Sequence, residues 1–266
     1  MTEISASLVK ELREATGAGM MDCKRALQET GGDMESARVL LREKGLATAG
    51  KRADRGTTEG IVGVLVADDA AAIVGIGCET DFVAKNPALE AFGEQVLRAV
   101  HAGGVEAAER FEAERTELIA TLGENIVIVG PKRLAGGTLA AYVHPPANKI
   151  GVLVQLDGGT EELGRQLAMH ISFAAPEYLA RDDVPADVIE AERQIYLNTD
   201  EVLSKPEAAR EKIVDGMLGK RFFAASPGGV LVEQAWIHDA SKTVGQALAD
   251  AGATVTAFTR VSVAGS

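Results

Sequence analysis

The chain has 266 residues, and at roughly 150 residues per domain this length points to about two folded units with buried cores. Hydrophobic residues make up 46% and charged residues 25%, ordinary globular usage that excludes a mainly disordered or fibrous chain. With 27 Lys plus Arg against 39 Asp plus Glu the net charge is -12, which argues against a general binder of phosphate backbones and against nucleic acid as a direct partner.

Residues 1–55 read as a unit of their own, nearly balanced in charge while the rest is strongly acidic. The opening MTEISASLVKEL mixes acids with apolar residues and lacks the basic-then-apolar pattern of an export signal, so a cytoplasmic location is expected. Leu8, Leu12 and Ala15, then Met20, Cys23 and Leu27, then Met34, Ala37 and Leu41 recur at helical spacing. Three short helices are predicted. Thr16–Gly19 and Gly31-Gly32 separate them, with Asp33 placed to cap the third and Gly45 to end it. This pattern puts Met20 on the buried stripe and turns Met21 away from it. Ala47–Gly56 is small, basic and without apolar periodicity, and reads as a linker.

The remainder carries an internal echo. Glu59–Ala67 and Ala71–Gly77 are predicted strands across an Asp68-Asp69 turn, followed by a helix over Pro87–His101 and a late strand, Asn125–Gly130. The apolar run of the first pair is broken by those aspartates, so it does not span a membrane. Thr138–His144 and Gly151–Leu156 repeat the arrangement around Pro145–Asn148, with a helix over Glu161–Ala174 and a closing strand, Thr254–Val263. A helical hairpin over about 185–219 is inserted in this second half: Pro185–Leu197 and Pro206–Leu218 flank Asn198–Asp200, and Ser204 with Glu207 suggests a capping box. The expected fold is α+β, a three-helix module and linker (1–55) followed by two repeated antiparallel-sheet and helix subdomains (56–136 and 137–266), not one doubly wound parallel sheet.

Motifs for chemistry are scarce. There is no G-x-x-x-x-G-K-[ST], H-E-x-x-H or G-x-S-x-G, and Gly75–Thr80 lacks the third glycine of a dinucleotide fingerprint. Cys23 and Cys78 make no disulfide framework or zinc site, which suits a reducing compartment. His101, His144, His170 and His238 share no ligand spacing; His101 and His170 fall in helices and read as structural. No catalytic residue, metal or cofactor is expected. Thr80–Pro87 (TDFVAKNP) stands out instead. Asn86 and Pro87 suit the start of the next helix, leaving Asp81, Phe82 and Val83 in a short connection, in a chain with only 4% aromatics. Phe82 either folds back onto the sheet or protrudes as an anchor.

Leu8–Leu27 (LVKELREATGAGMMDCKRAL) and Cys78–Asn86 (CETDFVAKN) resemble the two signature stretches of bacterial translation elongation factor Ts. The resemblance continues in order through Ile150–Val154, Ala168–His170, Ser241–Gly245 and Val255–Arg260, nearly the whole chain. It implies guanine-nucleotide exchange on the GTPase elongation factor Tu, without an enzymatic step, membrane contact or small-molecule substrate. It also implies a ubiquitin-associated-like N-terminal module docking through Met20, Met21 and Leu12, and a loop, Thr80, Asp81, Phe82 and Val83, that dislodges the magnesium of the GTPase. The second half and the hairpin would grip the other side of that partner, with His144 and Ile237 as further contacts. Pro145–Lys149 and the segment Ser226–His238 depart from the family pattern. A rival reading is a non-exchange adaptor that binds through the N-terminal helices.

Overall fold

The computed structural model describes residues 4–49, 52 and 55–264, so part of the predicted linker Ala47–Gly56 lies outside the described residues. Helices α1 (Ala6–Thr16), α2 (Met20–Glu29) and α3 (Met34–Ala49) close over a core that includes Val9, Leu12, Cys23, Ala26, Leu27 and Ala37. Ser5 caps α1 through the Leu8 amide, and Asp33 Oδ1 accepts the Ser36 amide at 2.7 Å ahead of α3.

The module departs from the sequence reading at two points. Helix α3 does not stop at Gly45 but runs to Ala49. A Cβ at Gly45 would sit 2.4 Å from the Ala120 carbonyl oxygen, so the glycine permits close helix packing instead of ending the helix. Met20 is not on the buried stripe; it is 58% exposed. It is the first residue of α2, and because helical side chains lean toward the N-terminus, it projects past the helix end and beyond the core.

Strands β1 (Glu59–Ala67) and β2 (Ala70–Cys78) pair antiparallel across the Asp68-Asp69 turn. A one-turn helix α4 (Asp81–Ala84), then α5 (Pro87–Gly103) and α6 (Glu112–Leu122), lead to β3 (Val127–Ala135) on the other side of β2. The reading that ends this strand at Gly130 is too short. In the order β1-β2-β3 the strand is an outer one, where a proline such as Pro131 need not interrupt the ladder.

The second half repeats the plan with β4 (Thr138–Val143), β5 (Ile150–Gly158) and α7 (Glu161–Ala174). Next come α8 (Ala186–Leu197), α9 (Asp200–Leu203) and α10 (Glu207–Met217), then a small hairpin, β6 (Ala235–Trp236) and β7 (Asp239–Thr243), then α11 (Val244–Asp250) and β8 (Ala253–Ser262). The sheet order is β4-β5-β8, antiparallel throughout. Helices α8 and α10 form the predicted hairpin, bridged by Arg193 to Glu211 at 3.2 Å and Asp215 at 2.8 Å. Its inner face, with Tyr196, Val214 and Met217, joins Phe223 and Val230 in a cluster of its own. The Ser204–Glu207 capping box does not form: the Ser204 hydroxyl donates to the Glu201 carbonyl at 3.0 Å, drawn back into the turn that closes α9.

The two sheets pack face to face. Val62, Ala71 and Ile73 meet Leu139, Leu153 and Val261 between them, while Ala72, Val74 and Ile76 face α5 and Val152, Val154 and Leu156 face α7 and α11. Neighbouring residues of β2 point opposite ways, and because both faces are covered all nine of them are buried. Gly151 sets the spacing, since a Cβ there would lie 2.5 Å from Val62 Cγ1. The Pro145–Lys149 turn stitches the halves together: Val62 N–H donates to Asn148 O at 2.7 Å and Lys149 Nζ lies 2.5 Å from Glu59, while within the second half Val263 N–H donates to Lys149 O at 3.0 Å.

Candidate functional site

The Thr80–Val83 segment starts where β2 leaves the sheet. Cys78 is buried under α5, and that burial pushes its thiol up to about 12, so it stays a neutral thiol that donates to the Thr80 carbonyl at 3.3 Å. Thr80 is extended, at φ -126° and ψ 156°, and its hydroxyl accepts the Val83 amide as a helix cap. One helical turn follows, so the segment is ordered rather than an open loop. Ala84 is buried and Val83 packs at the edge of the α5 core, which turns the preceding residue outward. Phe82 is 83% exposed. The alternative in which its ring plugs the sheet is therefore excluded by the geometry.

Asp81 is exposed beside it and pairs with Lys85 at 2.9 Å; that hydrogen bond holds its carboxyl below the usual range. Pro87 cannot donate to a preceding carbonyl, so α4 ends after one turn and Asn86 starts α5 by accepting the Ala88 amide at 2.9 Å. The base of the segment is held by Glu124, just beyond the end of α6, a residue without any motif to flag it in the sequence. Its carboxylate accepts the Glu79 amide at 3.0 Å, the Thr80 amide at 2.9 Å and the Thr80 hydroxyl at 2.6 Å.

The other predicted contact residues lie apart from this turn. Met21 is 64% exposed at the start of α2, beside the exposed Met20. Leu12 is fully buried in the module core and has no surface to offer a partner; its place on the helical stripe explains it without a contact role. The module leans on the core through α3 and α6, where Arg42 grips Glu117 at 2.9 and 2.8 Å next to Gly45 and Ala120. A cleft of about 780 Å³ between them reaches Glu124. His144 is exposed at the end of β4, its Nδ1 3.1 Å from the Tyr142 hydroxyl. Ile237 is 44% exposed in the turn between β6 and β7. That hairpin, which carries no clear pattern in the sequence, is anchored by Trp236 stacked on buried His170, ring centroids 5.4 Å apart. Phe173, 75% exposed near the end of α7, is a second outward ring that periodicity alone does not distinguish from a core residue.

The remaining histidines and glycine motif serve the fold. His101 Nε2 lies 3.2 Å from the carbonyls of both Ala67 and Ala70, bracing the β1–β2 turn. His170 Nε2 is 2.9 Å from Gln234 Oε1, and burial holds its imidazole below the ordinary value. Gly75 and Gly77 lie within β2, paired with β1 on one side and β3 on the other, so they form no glycine loop that could cradle a phosphate. Among the described residues no helix is long and apolar enough to cross a membrane.

Residues 79–265 match the family profile described as Elongation factor TS, a span that begins at the end of β2 and takes in Thr80–Val83, both helical layers and the second sheet. The chain is also 45% identical to elongation factor Ts of Photorhabdus laumondii over 99% of its own length and 93% of that protein. The chain belongs to the elongation factor Ts family. The elongation factor Ts of Gluconobacter oxydans is 43% identical over 98% of this chain and 92% of its own length, and that of Salmonella newport is 43% identical over 99% and 92%. The N-terminal helices, which precede the profile match, are thus shared with full-length elongation factor Ts relatives, and the family places this chain among the factors of translation elongation.

Proposed function

We propose that the chain is a guanine-nucleotide exchange factor: it binds elongation factor Tu carrying GDP in the cytoplasm, displaces the magnesium ion, and promotes GDP release and GTP rebinding. The observation that carries the reading is Phe82, 83% exposed on a helical turn whose neighbours are buried or hydrogen-bonded. A large ring held outward on an ordered turn has the form of an interface anchor, a residue type that dominates binding when it fills a partner's pocket.

Exchange of this kind needs no catalytic residue. A partner that binds the nucleotide-free GTPase more tightly than the loaded one must weaken nucleotide by the same factor. A ring driven beside the metal displaces groups that coordinate it, and Asp81 competes for donors that had served the ion or the phosphate. Its pair with Lys85 is exposed on both sides, and such pairs are weak enough to exchange partners. Thr80 holds the turn and Val83 roots it. Residues 1–55 form the first docking unit, with Met20 and Met21 at the contact and Leu12 in the core that holds α2 in place; residues 56–136 carry the wedge, and residues 137–266, with His144, Ile237 and the hairpin, hold the other side of the GTPase.

Release of fluorescent GDP from elongation factor Tu, with and without the chain, tests the reading directly. Acceleration that depends on Phe82 is expected; a chain that binds the GTPase but leaves GDP release unchanged is an adaptor. A chain starting at Thr57 is expected to fold and to lose about 2 kcal/mol or more of affinity, as for removal of an interface hot spot. Undiminished binding in a titration would remove the docking role of the module.

A further inference from the structure

The end of β2 and the end of α6 are joined by two carboxylates that each capture the other segment's backbone. Glu124 accepts both the Glu79 and Thr80 amides and the Thr80 hydroxyl, at 3.0, 2.9 and 2.6 Å. Glu79 in return accepts the Asn125 amide at 2.7 Å, and Arg55 approaches its other oxygen at 3.4 Å. Both carboxylates are half-buried, where charge-assisted hydrogen bonds are stronger than at an open surface. Neither bond set is needed to complete a strand: the β1–β2 and β2–β3 ladders stop at Cys78 and Gly77. The clasp acts on the two residues between the last ladder pair and the first helical residue of α4. Those residues fix the direction in which α4 leaves the sheet.

We infer that Glu124 is a positioning residue for nucleotide exchange, aiming Phe82 by fixing the Glu79–Thr80 backbone. This rests on the exchange reading above. The Thr80 hydroxyl donates to Glu124 while accepting from Val83, so its rotamer is set from both sides, and α4 is registered against α6. Gly123, in the left-handed conformation at φ 79°, ends α6 and allows Glu124 to turn toward β2. Because α6 also bears the contact with α3, the docked module and the wedge share one support.

The test is a double-mutant cycle on fluorescent-GDP release from elongation factor Tu, using the full chain, Glu124→Ala, Phe82→Ala and the double variant. Glu124→Ala is expected to slow release at saturating factor by about tenfold, the scale of a lost charge-assisted hydrogen bond, with GTPase affinity changed far less. In the Phe82→Ala background the same change is expected to do almost nothing, a non-additivity that a general loss of stability does not produce. Glu124→Gln, which keeps one carbonyl acceptor for the two amides, is expected to recover most of the rate and serves in place of the alanine variant should that fail to fold. Equal slowing by Glu124→Ala with and without the Phe82 ring, or a full rate for the folded Glu124→Ala chain while Phe82→Ala is slow, overturns the positioning role. A wild-type chain that leaves GDP release unchanged overturns the exchange reading itself.

Discussion

The junctions at Thr80 and Thr160 are built alike and then diverge at a single outward position. Each follows the central strand of its sheet, each threonine is extended (φ -126° and ψ 156° against φ -120° and ψ 158°), and each hydroxyl caps a helix, accepting from Val83 in one and Leu163 in the other. The third helical residue packs at the core edge in both, as Val83 and Leu163, and the fourth is buried in both, as Ala84 and Gly164. The second points to solvent in both. It is Phe82 in one half and Glu162 in the other. Outward direction there is thus a property of the junction, not of the residue, and a glutamate satisfies it without cost. The aromatic side chain in the first half has no packing explanation. The halves differ once more: Pro87 stops the first helix after one turn, whereas α7 runs unbroken to Ala174, so only the first half presents its second residue on a free-standing turn.

The strongest way to break this comparison is to make the halves alike. Phe82→Glu is expected to remove about 2–4 kcal/mol of the stabilisation that drives GDP release, in the range of an interface hot spot, while the thermal melt moves little. A collapsed melt with intact release would mean that the ring serves the fold. The fourth position sharpens the packing side. Gly164→Ala would place a Cβ 2.6 Å from the Ala140 Cβ, and denaturant unfolding is expected to show about 1–3 kcal/mol of destabilisation with GDP release by the surviving folded protein unchanged. Next come the caps. Thr80→Val and Thr160→Val are each expected to lose about 1 kcal/mol of stability, but only the first should slow exchange. The smallest effect near neutral pH concerns the second half alone. Burial and the neighbouring His238 lower the His170 pKa from 6.5, so the folded state resists protonation. Its contribution is complete above pH 6.5 and declines as the pH falls below that value; Trp236 fluorescence, from the ring stacked on His170, is expected to report the loss first.

Strand pairs and the long helices are legible because alternation and helical spacing are local signals, and the repeat of two strands and a helix is written twice. Residues whose role depends on distant partners are not. Gly45 reads as a stop because nothing local shows Ala120 against it. Pro131 reads as a strand end because edge position is a property of the sheet. Ser204 and Glu207 have the spacing of a capping box, yet a nearer carbonyl takes the serine. At the candidate site, Thr80, Asn86 and Pro87 announce a helix start, but the choice between a buried and a protruding Phe82 needs the fold. Glu124 carries no local signal at all, since its partners lie 44 and 45 positions away in the chain. Met20 shows the opposite error: a helical stripe specifies an angle around the axis, not whether anything lies beyond the end of the helix.

The burial of β2 on both faces bears on force. If Phe82 wedges into a partner as proposed, the ring is pushed back with equal strength, and that push reaches the sheet through Thr80, two residues beyond this strand. There it meets a slab gripped from above by α5, from below by the second sheet, and along its margin by the Asn148 and Lys149 stitches. In the proposed complex, recoil would be shared by the whole body instead of bending one hinge, leaving the partner to take up the deformation.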